Sequence, residues 1–225
     1  LVGEVWICSG QSNMAGNVGA RETAATDEFP LIRHYTSSAG GGAWIPTTPD
    51  TVKGFTAAGY FFGRTLHQEL DVPVGLMKAA VGGTLIQPWT PVGAHPEATE
   101  ELYQRLIAPM VPYTIRGTIW YQGEANSREP ALAEDYDDML VALISSWREN
   151  WDQGDFPFYY VQLPSIASPD RVYYTVRERM DQALTRLPAI GMSCNIDIDE
   201  GLHPASKHIM GERLALLALR DVYEQ

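Results

Sequence analysis

The sequence predicts an α/β protein with a mostly parallel sheet covered by helices on both faces. Three observations carry this expectation. Short apolar runs of strand character alternate with longer stretches of helical periodicity along the whole chain, as in a sheet buried on both sides. No linker, internal repeat or low-complexity tract divides the 225 residues, a length that one such domain fills. Four breaks fall where strands end: Ser12, Gly82-Gly83-Thr84, Gln122-Gly123-Glu124-Ala125-Asn126 and Asp199-Glu200-Gly201-Leu202-His203. Ligands of such sheets bind beyond the C-terminal ends of the strands.

Pattern and punctuation define the elements. Residues 4–8 form a buried strand and residues 31–35 a shorter one. Gly, Ser, Thr and Pro make residues 37–50 a long surface loop. Residues 58–69 have helical periodicity, with Phe61, Leu66 and Leu70 on one side. A strand over 74–80 breaks at Gly82-Gly83-Thr84, and a helix is expected over 99–107. Residues 115–121 are a strand halted at Gln122-Gly123. The longest helix signal, 131–151, places Leu140, Leu143, Ile144 and Trp147 at helical spacing. A strand over 158–163 ends at Pro164, a helix covers 172–187, and a last strand covers 190–196. An amphipathic helix over 206–223 closes the chain, with Ser206 as its N-cap.

Composition narrows the function classes. The chain is 45% hydrophobic and 20% charged with a formal net charge of -12, so a nucleic-acid backbone is excluded as partner. No apolar stretch approaches the ~20 residues of a membrane helix. No basic segment followed by an apolar one opens the chain, so no signal peptide is read. The chain starts directly in strand-like sequence, which suggests a mature or excised form and favours a secreted or periplasmic location. Cys8 and Cys194 both lie in apolar runs and are expected as buried free thiols.

Ser12 sits between Gly10 and Gly16, where a strand must turn into a helix. A serine there lifts its hydroxyl off the sheet edge, and its own N–H points into the same space. That suits a nucleophile with a built-in oxyanion donor; the alternative is a simple N-cap. Among His34, His67, His95, His203 and His208, the best base is His203, aimed by Pro204 in the loop before the last helix. His67 and His208 lie in helix patterns, while His34 and His95 stay open as substrate contacts. An acid must orient the base. Glu200 precedes His203 by three residues, with Asp197 and Asp199 as alternates. Further oxyanion donors are the N–H of Gly83 or Gly82 and the side-chain amide of Gln122 or Asn126. Neither cysteine nor acidic cluster has metal-ligand spacing, so neither metal nor cofactor is expected.

Taken in order, these residues resemble the SGNH/GDSL hydrolase superfamily, and within it the sialate O-acetylesterase and acetylxylan-esterase-type carbohydrate esterases. The resemblance rests on residues 3–14, on Gly82-Gly83-Thr84 with Ile86 and Trp89, on residues 120–126, and on Gly201-Leu202-His203-Pro204. It spans essentially the whole chain, as one esterase domain over residues 1–225. It implies a flavodoxin-like three-layer α/β/α sandwich with a mostly parallel sheet of about five strands. It also implies metal-free removal of O-acetyl groups from sugars by a serine esterase. By position, Ser12 is the nucleophile, His203 the base and Glu200 the acid, one methylene longer than the superfamily's aspartate. Ser12, Gly83 and Gln122 form the oxyanion hole. Gln11, Asn13, Glu124, Asn126 and Trp89 bind substrate or support the site, with Glu124 bracing the Ser12 turn.

The substrate is then an O-acetylated carbohydrate. Trp44, Trp89 and Trp120 are candidate sugar-stacking surfaces, with core packing favoured for Trp120. A sialate carboxylate would need a cation from Arg33, Arg64, Arg128 or Arg171; a neutral xylan chain would need an open groove walled by residues 37–50. Three rival readings compete, one of them a metal-dependent hydrolase that a chelator would expose. Another is a glycosidase using Glu124 with the acids of 197–200. The third is a non-catalytic carbohydrate-binding relative.

Overall fold

The computed structural model describes residues 2–19, 23–38, 41–198 and 200–225. Strand β1, Glu4–Gly10, runs into a single helical turn, α1, Ser12–Ala15. Strands β2, Phe29–Thr36, and β3, Ile45–Thr47, precede helix α2, Ala57–Leu70, and strand β4, Val74–Ala80. Then come β5, Gly117–Tyr121, α3, Pro130–Glu134, α4, Tyr136–Trp151, and β6, Phe158–Val161. Helix α5, Tyr173–Ala183, strand β7, Ile190–Ser193, and helix α6, Lys207–Val222, complete the chain.

Among the described residues, seven strands join one sheet in the order β3-β2-β4-β1-β5-β6-β7. Every pairing is parallel except that of β3 with β2. Strand alternation splits the core into two layers. Trp6, Cys8, Leu76, Ile119 and Tyr121 pack with Phe61 and Leu66 of α2 and Leu214 of α6. On the other face, Ile7, Met77, Trp120 and Phe158 pack with Leu140, Ile144 and Trp147 of α4 and Met180 of α5. The result is the three-layer α/β/α sandwich that the sequence implies.

The departures have local causes. Seven strands replace the expected five or so: the six apolar runs all enter the sheet, and β3 forms inside the stretch expected as loop. Pro46 of β3 lacks an N–H, which an edge strand tolerates. The expected helix over 131–151 breaks at Asp135 into α3 and α4. Residues 103–107 form a wide π-type turn rather than a regular helix. Strands β5 and β7 and helix α5 are shorter than expected, and Ile196 is exposed beyond β7. Ser206 occupies the N-cap position of α6 without capping it. Both cysteines are free, but only Cys8 is buried; Cys194 is exposed.

Strand β1 lies centrally. From it the chain first builds β2, β3 and then β4 on one side, with β4 next to β1, and then crosses to build β5, β6 and β7 on the other. The C-terminal end of β1 is therefore the switch point at which open α/β sheets form a crevice.

Candidate active site

The crevice begins with a glycine. Gly10 ends β1 at φ +133°, and a Cβ there would lie 2.1 Å from the Tyr121 carbonyl oxygen. Only glycine lets β1 finish against β5 and turn at once into α1. The Gln11 N–H then donates to that same carbonyl at 2.9 Å. Ser12 heads α1, so its N–H has no acceptor within the helix.

His203 arrives from the loop before α6, and its Nε2 lies 3.0 Å from Ser12 Oγ. Asn13 ties that loop to the nucleophile turn. Its Nδ2 donates to the Leu202 carbonyl at 2.9 Å and to Glu124 Oε1 at 2.5 Å. Glu124 therefore braces the Ser12 turn through Asn13. Burial pushes its carboxyl above the usual range, opposed by the Asn13 hydrogen bond and by the charges of Lys207 and Arg171.

The glycine turn after β4 faces Ser12. A Cβ on Gly82 would sit 3.6 Å from Ser12 Cβ, whereas Gly83, at φ +74°, borders open space. Thr84 anchors this turn by donating to the Val81 carbonyl at 2.9 Å and accepting from Trp89 Nε1 at 3.0 Å. Two cavities share Ser12 and His203. One, of about 690 Å³, extends past Asn17, Gly19 and Lys207. The other, of about 200 Å³, is bordered by Gln11, Gly82, Gly83, Glu124, Arg128 and Arg171.

Several expected residues take other positions. Gln122 is fully buried behind Gln11, with its Nε2 facing Gln11 Oε1, the Thr84 carbonyl and Asn126 Oδ1. Asn126 is equally buried and holds Ile86 N–H and Gln87 Oε1. Neither amide lines the cavities at Ser12. Both oxygens of Glu200 accept from Ser206, one from its N–H at 2.8 Å and one from its hydroxyl. These bonds hold the Glu200 carboxyl below its usual range. They also take Glu200 away from the orienting role expected of it, because no hydrogen bond joins it to His203. Asp197 is paired with Arg213, and Asp199 lies outside the described residues. Among the described residues the two-carboxylate arrangement of a glycosidase has no support: Glu124 is buried on Asn13, while Glu200 and Asp197 are engaged elsewhere.

Trp89 and Trp120 are wholly buried and meet edge to face at 5.8 Å. Trp89 therefore supports the glycine turn and offers no sugar platform. Trp44 stands with Arg33 and Tyr113 in a cavity beside Gly3 and Gly75, near the N-terminal ends of β1 and β4. The site lies at the opposite ends of those strands. Arg64 pairs with Asp27. His34 packs on Phe55 and His95 pairs with Asp135, away from Ser12. The sequence could not rank the arginines. The nearest signal was the position of Arg128, two residues beyond the third motif.

The mostly parallel three-layer sheet, with a serine and a histidine in contact at its switch point, has the SGNH-like fold. Similarity to known proteins gives the family. The family model described as "Carbohydrate esterase, sialic acid-specific acetylesterase" matches residues 2–220, and the chain belongs to that family. The sialate O-acetylesterase of Homo sapiens is 28% identical over 284 residues, covering 99% of this chain and 54% of the relative. The chain thus spans about half the length of that curated relative. A carbohydrate acetylesterase from Xanthomonas citri superposes with a TM-score of 0.91 at 30% identity, covering 100% of this chain and 57% of that one. A solved Arabidopsis thaliana protein shares the fold with a TM-score of 0.75 at 24% identity, covering 97% and 98% of the two chains.

Proposed function

We propose that this chain removes O-acetyl groups from carbohydrates through an acetyl-enzyme on Ser12. The observation that carries this reading is the 3.0 Å contact between His203 Nε2 and Ser12 Oγ at the wall shared by two cavities. With its proton on Nδ1, His203 accepts the Ser12 proton as Oγ attacks the acetyl carbonyl. The oxyanion meets the Ser12 N–H and one N–H of the Gly82-Gly83 turn. His203 then protonates the departing sugar hydroxyl. Water enters by the same route and releases acetate.

An acidic acetylated sugar suits the site better than a neutral xylan chain. Arg128 and Arg171 both border the smaller cavity beside Ser12, and guanidinium pairs match a carboxylate. Arg171 is steadied by donating to the Glu124 carbonyl at 2.8 Å. The relative's name, sialate O-acetylesterase, points the same way.

The test is acetate release from 4-nitrophenyl acetate, O-acetylated xylan and 9-O-acetyl sialic acid, with EDTA present, by wild type and Ser12→Ala. Release by wild type and a loss of at least about 10⁴-fold in the variant is expected. Retained turnover in Ser12→Ala would sink the mechanism. Sugar binding without release by wild type would favour the non-catalytic alternative.

A further inference from the structure

We infer that the third donor to the oxyanion is the side-chain amide of Gln11, and that Gln122 is the positioning residue that aims it. This rests on the hydrolytic reading above. Backbone groups fix the orientation of every amide involved. The Ala125 N–H can only donate, and it lies 3.2 Å from the Gln11 side-chain oxygen, so that end of the amide is Oε1. The end of Gln122 that faces the Thr84 carbonyl at 3.0 Å must be Nε2, because a carbonyl only accepts. That same Nε2 gives a second hydrogen bond to Gln11 Oε1 at 3.2 Å.

The two glutamines then differ in what they have left. Gln122 shares its Nε2 among three acceptors, and its Oε1 takes the Tyr136 hydroxyl at 2.8 Å. Gln11 has its oxygen doubly satisfied, while its Nε2 has no partner among the described residues. Gln11 is only 3% exposed, yet it borders the cavity that holds Ser12, Gly82 and Gly83. Its amide nitrogen is not among the buried polar atoms that lack a partner, so solvent in the cavity can serve it until a stronger acceptor displaces that solvent. The acceptor that forms there during acyl transfer is the carbonyl oxygen. As Oγ bonds to the acetyl carbon, the carbonyl π pair moves onto that oxygen and the Ser12 proton moves to His203. Gln11 donates a hydrogen bond to the new anion and transfers no proton. On collapse the carbon–sugar oxygen bond breaks and the His203 proton goes to the leaving oxygen.

The test compares Gln11→Glu, Gln11→Met and Gln122→Met with wild type, using 4-nitrophenyl acetate and thermal melting. Gln11→Glu keeps an oxygen for Ala125 and Gln122 but replaces the donor with negative charge; Gln11→Met keeps the shape without a donor. Both should lose about 10²–10³-fold in kcat with KM changed only a few-fold, and Gln11→Glu should melt near wild type. Gln122→Met should lose less in kcat and more in Tm. If Gln11→Glu, or Gln11→Met should the former fail to fold, turns over within threefold of wild type, Gln11 is structural and the inference falls. Failure of the hydrolytic reading looks different: wild type itself would then show no Ser12-dependent release.

Discussion

Glu200 and His34 show how much a single side chain's neighbours decide. Glu200 precedes His203 by three residues, the spacing of a triad acid, but its carboxylate is occupied by the N–H and hydroxyl of Ser206 at the start of α6. A negative charge at a helix N-terminus stabilises it. Glu200→Gln should therefore leave kcat within a few-fold of wild type while lowering the melting temperature; a loss of kcat beyond about 10²-fold would return Glu200 to the reaction. His34 is buried in β2, and burial with the nearby Lys78 charge pushes its pKa down from 6.5 to about 4. As pH falls through that window, the unfolded chain takes a proton that the buried ring refuses, so stability falls. The loss approaches about 3 kcal/mol at pH 4. In His34→Leu this part of the dependence should vanish, measured by urea unfolding at pH 7.5 and pH 4.

The glycine turn after β4 works as a unit with the short helical segment that contains Trp89. Thr84 holds the turn to Val81, and Trp89 Nε1 holds Thr84. Trp89→Phe keeps the edge-to-face packing on Trp120 but removes that donor. It should lower kcat by about tenfold, from the loss of roughly one hydrogen bond's worth of positioning, with KM little changed; an unchanged kcat would mean the backbone alone sets the turn. Ser12, His203 and the glycine pair were legible in the sequence because each sits just past the end of a strand, where the apolar run breaks. The hydrogen-bond partners of Gln122 were not, because Gln11, Thr84 and Tyr136 come to it from separate segments. Strand β3 was hidden because three residues with a proline carry no alternation to read, and the Asp135 break was hidden inside one continuous apolar period.

At the scale of the molecule, the charge distribution bears on substrate choice. The chain's net charge of -12 repels an anionic sugar, while Arg128 and Arg171 give the smaller cavity a local positive wall. Arg128→Gln should reduce kcat/KM for 9-O-acetyl sialic acid by about tenfold, the loss of one charge-assisted hydrogen bond, and leave 4-nitrophenyl acetate nearly untouched. Equal loss on both substrates would assign Arg128 to the structure of the site.

The parallel layout has a consequence for how this chain assembles its serine–histidine pair. Strand β1 precedes the other described strands in sequence, yet it sits in the middle of the sheet with β4 and β5 as its flanks. Ser12 and His203 are 191 positions apart. The loop that must close between them holds most of the described residues, and closure over such distances is slow compared with helix formation. The contact between Ser12 and His203 is then among the last features the folding chain gains, and its return on refolding trails the recovery of helical structure.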